Sequence, residues 1–95
     1  RDGRVAEFAQ DVKACALGQA SAAVLGQAAL GRSLPEVEAA RDALRAMLKD
    51  AAPPPTAPFD GFEVLIPARD YKNRHASILL AIEALAEAMQ AAQAA

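Results

Sequence analysis

The clearest pattern in the sequence is a stripe of apolar residues near the C-terminus. Its members lie three and four positions apart, which predicts the buried face of an α-helix from about Arg74 to Ala94. We expect the alanine-rich end of this helix to fray. The stripe consists of Ile78, Ile82, Leu85 and Met89, widened by Leu79 and Leu80.

A second amphipathic helix is predicted to begin at Ser33. The residues Ser33-Leu34-Pro35-Glu36 have the form of a capping box, in which Ser33 and Glu36 each bond the backbone amide of the other. Pro35 falls in the first turn, where its missing N–H does no harm. The predicted buried face is Val37, Ala40, Leu44, Met47 and Leu48, and the predicted exposed face is Glu38, Arg41, Arg45 and Lys49.

A third helix is predicted earlier in the chain, from Ala16 to Leu30, with Gly31 as the residue that ends it. One face carries Leu17, Ala20 or Ser21, Val24 and Ala28. A second face is made of small residues at every fourth position, namely Gly18, Ala22 and Gly26. Glycine inside a helix costs up to about 1 kcal/mol relative to alanine. We therefore expect another backbone to pack closely against this face.

Two segments between the helices are less regular. Residues 51–58 contain four of the six prolines and are interpreted as a surface linker within a single domain of residues 1–95. From Phe59 to Pro67 two interpretations stay open. Phe62, Val64 and Ile66 alternate as in a short strand, whereas Phe62, Leu65 and Ile66 also suit a helical turn.

The N-terminus suggests a chain that begins inside a fold. Asp2-Gly3 is typical of a two-residue hairpin turn, because both central positions of a type I′ turn need positive φ. Residues 4–12 after it contain loosely alternating β-formers. We therefore expect a strand here, paired with a strand before residue 1.

Composition narrows the class of protein. The 95 residues suffice for one small domain, and a net charge of −2 argues against nucleic acid as the main partner. No apolar run reaches the roughly 18 residues that span a bilayer, so we expect no membrane partner. One cysteine forms no internal disulfide, which favours a reducing, cytoplasmic location.

Three residues are candidates for chemistry. Cys15 falls at or just before a predicted helix N-terminus, where the macrodipole stabilises a thiolate, although a lone cysteine is more often a small buried hydrophobe. His75 and Ser77 lie near the start of the last helix, where a capping or surface role is the commoner one. The sequence shows no Ser/His/Asp arrangement, phosphate loop or zinc motif, so we expect no enzyme.

Three stretches in order resemble the NifU N-terminal and IscU-like (SUF-type) iron–sulfur cluster assembly scaffolds. Residues 12–23, VKACALGQASAA, are similar to that family's central cysteine followed by a small-residue helix. Residues 31–37, GRSLPEV, are similar to its glycine–basic–Ser/Thr segment. Residues 69–80, RDYKNRHASILL, resemble its Arg-x-x-Cys-x-x-Leu segment. The resemblance implies the C-terminal two-thirds of an α+β fold, with a small antiparallel sheet, mostly upstream or missing, on about three helices.

The resemblance also implies a function and a ligand set. The family assembles a [2Fe–2S] cluster on three cysteines, often with an acidic residue or histidine, and a related branch binds zinc and passes sulfur. Thiolates are the natural iron ligands. Cys15 matches the second family cysteine, and the first is expected upstream. The third falls at Ser77, or in another register at Ala76 beside His75.

These correspondences give the functional expectations. The implied role is to bind iron or a [2Fe–2S] cluster, or to accept sulfur, through Cys15, with His75 in a variant ligand set. The alternative is a degenerate binding module that holds no metal. The implied partners are a cysteine desulfurase and apo-protein acceptors, and the sequence leaves a homo-oligomer open.

Overall fold

A computed structural model describes the backbone of residues 12–94 and the side chains of residues 16–93. Over this range the chain forms three α-helices, which we label α1 (Val12–Ala28), α2 (Leu34–Asp50) and α3 (His75–Ala94). Two 3₁₀ segments, Asp60–Asp70 and Lys72–Arg74, connect α2 to α3. None of these described helices is long and apolar enough to cross a membrane.

The expected α+β architecture is wrong for the part of the chain that the structure describes, because residues 12–94 contain no strand. Val12, expected to end a strand, is the first residue of α1. The strand expected over residues 4–12 otherwise lies outside the described residues.

The alternation between Phe59 and Pro67 also produces no strand. Phe62, Leu65 and Ala68 are buried instead, and Val64 is 63% exposed. A 3₁₀ helix has three residues per turn, so positions 62, 65 and 68 line up on one face. Burial of that face against the helices decides between the two interpretations in favour of the helical one.

The bounds of α1 differ from those predicted. The helix begins at Val12 rather than Ala16 and ends at Ala28 rather than Leu30. Gly31 does adopt the left-handed conformation of a chain-reversing residue, with φ of 80°. The Arg32 side chain donates to the Ala28 carbonyl over 3.0 Å, which satisfies an acceptor left at the helix end.

Helix α2 has the predicted start and the predicted buried face. The Ser33 amide donates to the Glu36 carboxylate over 2.9 Å, and the Glu36 amide donates to the Ser33 hydroxyl over 3.4 Å. At the other end Ala51 takes a left-handed φ of 56° and its amide bonds the Ala46 carbonyl. The buried residues of the helix are those predicted: Val37, Ala40, Leu44, Met47 and Leu48.

The core lies where α2, α3 and the long 3₁₀ segment meet. Its largest fully buried side chains include Phe62, Leu44, Met47 and Ile82. Residues 51–59, between α2 and the 3₁₀ segment, form neither helix nor strand, yet Pro55 within them is buried. Helix α1 adds Leu25 and Ala28 to the core from one side.

Candidate functional site

Helices α1 and α3 lie side by side and run in the same direction. Gly18 of α1 contacts Ser77 of α3, and Ser21, further along α1, contacts Ile78. Further along again, Ala22 shares a surface groove with Ala81. The residue numbers of the contacts rise together, so the N-terminal ends of both helices lie at the same end of the pair.

The approach of the two helices is closest at Gly18. A Cβ built on Gly18 would stand 3.2 Å from the Ser77 carbonyl oxygen, which is tighter than ordinary van der Waals contact. The expectation that small residues on α1 admit a neighbouring backbone is therefore correct here. It is wrong at Gly26, where a Cβ would meet no atom of the described residues within 4 Å.

A buried hydrogen bond fixes the register of the pair. The Ser21 hydroxyl, which is fully buried, donates to the Ile78 carbonyl oxygen over 2.6 Å. An unpaired buried hydroxyl is costly, so this bond favours one position of α1 along α3. The sequence placed Ser21 on the core face without indicating its acceptor.

This register places Cys15 beside the start of α3. Cys15 is the fourth residue of α1, inside the first turn rather than before it, and three residues before Gly18. Its neighbours Ala16 and Leu17 line an open cavity of about 540 Å³ together with Tyr71, Asn73 and Arg74, which precede α3.

The electrostatics of this end of the helix pair favour an anion. Gly18 is the seventh residue of α1 and Ser77 the third residue of α3, so α1 begins about one turn before α3 at this end. Helix N-termini carry partial positive charge, and the half-buried Arg74 lines the cavity there. A cysteine in the first turn of a helix is in a setting that favours the thiolate form. Arg74 and Asn73 were not singled out from the sequence, because their proximity to α1 depends on the helix pairing.

The two other candidates point to different sides of α3. Ser77, half-buried, lies against α1. His75 is 5% exposed and lines a separate cleft between α2 and α3 with Lys49 and Glu83. His75 and Ser77 are two positions apart on α3, which separates their side chains by about 200° around the helix axis. They therefore cannot both face α1.

His75 is occupied by a structural hydrogen bond. Its Nε2 lies 3.0 Å from the Arg69 carbonyl oxygen, and since a carbonyl only accepts, Nε2 carries the proton and donates. Nε2 is therefore not available as a ligand, and Nδ1 is the ring nitrogen that keeps a lone pair. Ala76, the alternative position for the third family cysteine, is exposed and lines the cleft on the His75 side.

The donor set of a metal or cluster is not assembled within the described part of the chain. No group of three or more His, Cys, Asp or Glu residues there lies close enough to hold a metal ion. The described residues alone therefore do not make up a complete iron or zinc site. Cys15 stands in the first turn of α1, a position that favours a thiolate.

Comparison with known proteins gives one solved relative. The chain is 46% identical to the N-terminal part of a nitrogen-fixing NifU-like protein from Brucella abortus, with a TM-score of 0.77 between the structures. The alignment covers 82% of this chain and 54% of that chain, so this sequence spans about half the length of the relative. No protein-family model and no curated protein matches the chain.

Proposed function

Because the chain belongs to the NifU-like N-terminal family, we propose that it takes part in iron–sulfur cluster assembly as a scaffold-type carrier, with Cys15 as its reactive residue. The observation that carries this proposal is the parallel packing of α1 on α3 through Gly18 and Ser77. It supports the proposal because the turn of α1 that contains Cys15 lies at the end of the pair where both helices begin, and helix N-termini favour an anion. In this role the protein is not an enzyme, since it carries its cargo stoichiometrically.

The cargo that we propose for Cys15 is sulfur. A cluster needs several protein ligands, whereas Ser77 offers no thiolate and His75 lines the cleft between α2 and α3, away from α1. Sulfur transfer needs one thiolate alone. The Cys15 thiolate would attack the outer sulfur of a persulfide on a cysteine desulfurase. One S–S bond breaks as another forms, the desulfurase thiolate leaves, and no external oxidant or reductant is consumed. Apo-proteins that receive the sulfur or the finished cluster are the proposed acceptors.

Labelled sulfur tests this proposal directly. The protein is incubated anaerobically with a cysteine desulfurase and ³⁵S-cysteine, then separated on a non-reducing gel. We expect label on the wild-type chain that dithiothreitol removes, and none on Cys15→Ser. Ser77→Ala is the matched control and should retain the label, because it removes a hydroxyl at the same helix pair. Label on Cys15→Ser, or none on the wild type, would refute sulfur transfer through Cys15.

Reconstitution separates sulfur transfer from cluster binding. Iron and sulfide are added anaerobically, and the visible spectrum and bound iron are measured. A chromophore that depends on Cys15 would assign the chain a cluster as cargo instead of sulfur. Because His75 lines the cleft between α2 and α3 and not the face of α3 that contacts α1, His75→Gln should leave such a chromophore unchanged.

A second candidate function is a binding module that supports other assembly proteins without holding metal or sulfur. The observation in its favour is that Ser77, or Ala76 in the other register, stands where the family resemblance implies a third cysteine. A complex with a desulfurase that survives Cys15→Ser, together with no bound iron, zinc or label, would establish this role. Stoichiometric metal would exclude it.

A further inference from the structure

A cleft between α2 and α3 gathers positive charge on a chain whose net charge is negative. Three of its lining residues are cations, Arg45 and Lys49 from the second half of α2 and Lys72 from the turn before α3. The cleft has a volume of about 520 Å³, which is within the usual size range of ligand sites. Ten cations and twelve acidic side chains are distributed over the whole chain, so this concentration is local.

Two of these cations are available to a partner. Lys49 and Lys72 are exposed, and neither forms an ion pair with any side chain among residues 16–93. Arg45 is engaged: its Nη2 lies 3.0 Å from a carboxylate oxygen of Glu83, the one acidic residue that lines the cleft. The lining therefore carries a net charge of +2 from three cations and one carboxylate.

Between the cations the cleft exposes the methyl group of Ala76, whereas Leu79 and His75 beside it are almost fully buried. A simple inorganic anion would leave Ala76 uncovered, whereas a peptide can place an aliphatic side chain on it and carboxylates on the rim. A nucleic acid suits the cleft less well, because a nucleic-acid site neutralises many phosphates with a basic patch and this cleft offers two exposed lysines.

We propose that this cleft is a docking site for an acidic peptide segment of a partner protein. Carboxylates of the segment pair with Lys49 and Lys72, and an aliphatic side chain between them rests on Ala76. Glu83 lowers the positive charge of the site, because its carboxylate pairs with Arg45. The cleft lies on a different face of α3 from the contact with α1, so it acts independently of Cys15.

The test uses the full chain and a fluorescein-labelled peptide of four glutamates around one leucine, followed by fluorescence anisotropy. We expect binding that weakens with added salt. Exposed ion pairs are each worth about 0.2 to 1 kcal/mol, so the double variant Lys49→Gln, Lys72→Gln should weaken binding roughly 2- to 30-fold. Glu83→Gln removes the one carboxylate that lines the cleft and should strengthen binding, although Arg45 keeps its ion pair with Asp42.

Matched controls keep the proposal falsifiable. The double variant Gln19→Glu, Gln27→Glu changes the net charge equally on exposed positions of α1 outside the cleft, and should leave the affinity within about twofold. Cys15→Ser should also leave it unchanged, which separates this proposal from sulfur transfer. Circular dichroism checks that each variant is folded. No peptide binding, an equal loss in the control, or tighter binding of a single-stranded RNA of the same charge would overturn the proposal.

Discussion

The carbonyl oxygen of Ser77 lies 3.2 Å from the position that a Cβ on Gly18 would take. This contact joins two of the three sequence segments that carry the family resemblance, the cysteine segment of α1 and the segment that opens α3. It holds the two helix N-termini at the same end of the pair, with α1 beginning about one turn before α3. The geometry of the candidate site therefore depends on a residue that has no side chain.

Replacement of Gly18 by alanine should destabilise the protein. Overpacking against a backbone atom costs about 1 to 3 kcal/mol, and the gain in helix propensity returns up to about 1 kcal/mol of that. We expect the free energy of unfolding, measured with urea, to fall by roughly 1 to 2 kcal/mol. Gly26→Ala is the matched control: no described atom stands within 4 Å, so it should stabilise by about 0.5 to 1 kcal/mol. Equal changes in both variants would contradict the close contact.

The capping box should make the stability of α2 depend on pH. The Ser33 backbone amide, then the Ser33 hydroxyl, and to a lesser extent Arg32 lower the pKa of Glu36. A carboxyl with a lowered pKa in the folded state stabilises that state above its unfolded pKa. This contribution is lost as the pH falls through the folded value. The decrease in unfolding free energy between neutral and acidic pH should therefore be smaller in Glu36→Gln than in the wild type.

Loss of the cap itself gives a further expectation at neutral pH. Ser33→Ala removes the acceptor for the Glu36 amide and should lower the free energy of unfolding by about 0.5 to 2 kcal/mol. Ser33→Asp keeps an acceptor at the position and should cost less. Thermal unfolding followed by circular dichroism measures both variants. A larger loss in Ser33→Asp would mean that the hydroxyl does something other than capping.

His75 should behave as a structural residue. His75→Ala removes a buried donor and leaves the Arg69 carbonyl without this partner, so we expect a loss of about 1 to 3 kcal/mol in unfolding free energy. His75→Gln places an amide N–H near the position of Nε2 and should lose less. Urea unfolding measures both variants, and an equal loss in His75→Gln and His75→Ala would contradict the structural role of the Nε2–H bond.

Arg69 should stabilise the junction that leads to α3. Its Nε donates to the Met47 carbonyl of α2 over 2.8 Å, so it ties the 3₁₀ segment to the end of that helix. We expect Arg69→Ala to lower the unfolding free energy by about 1 to 3 kcal/mol. Arg41→Ala is the control, because Arg41 pairs only with the adjacent exposed Asp42 and such pairs are worth about 0 to 1 kcal/mol.

Elements with strong local signals were predicted correctly from the sequence. The capping box at Ser33 and the buried face of α2 depend on contacts within one helix and on one repeating pattern, and both are present. The last helix begins at His75, within one residue of the predicted start. The α+β architecture was wrong for the described residues, which contain no strand. Of the two interpretations of Phe59–Pro67 the strand was wrong, because the alternation around Phe62 fits the threefold repeat of a 3₁₀ helix equally well. Only packing against the helices distinguishes the two.

The candidate site, like the fold, was predicted only in part from the sequence. The sequence by itself determined which residue types are available: one cysteine near a helix start, one histidine, and a serine in a family cysteine position. The tertiary structure alone decided which of them share a face. Ser77 turns towards α1, and His75 turns towards α2 and bonds the Arg69 carbonyl. Helix periodicity fixes the angle between two residues on one helix, and the sequence alone gives that angle. Which neighbouring element covers each face depends on contacts between residues distant in sequence, here Gly18 with Ser77 and Ser21 with Ile78.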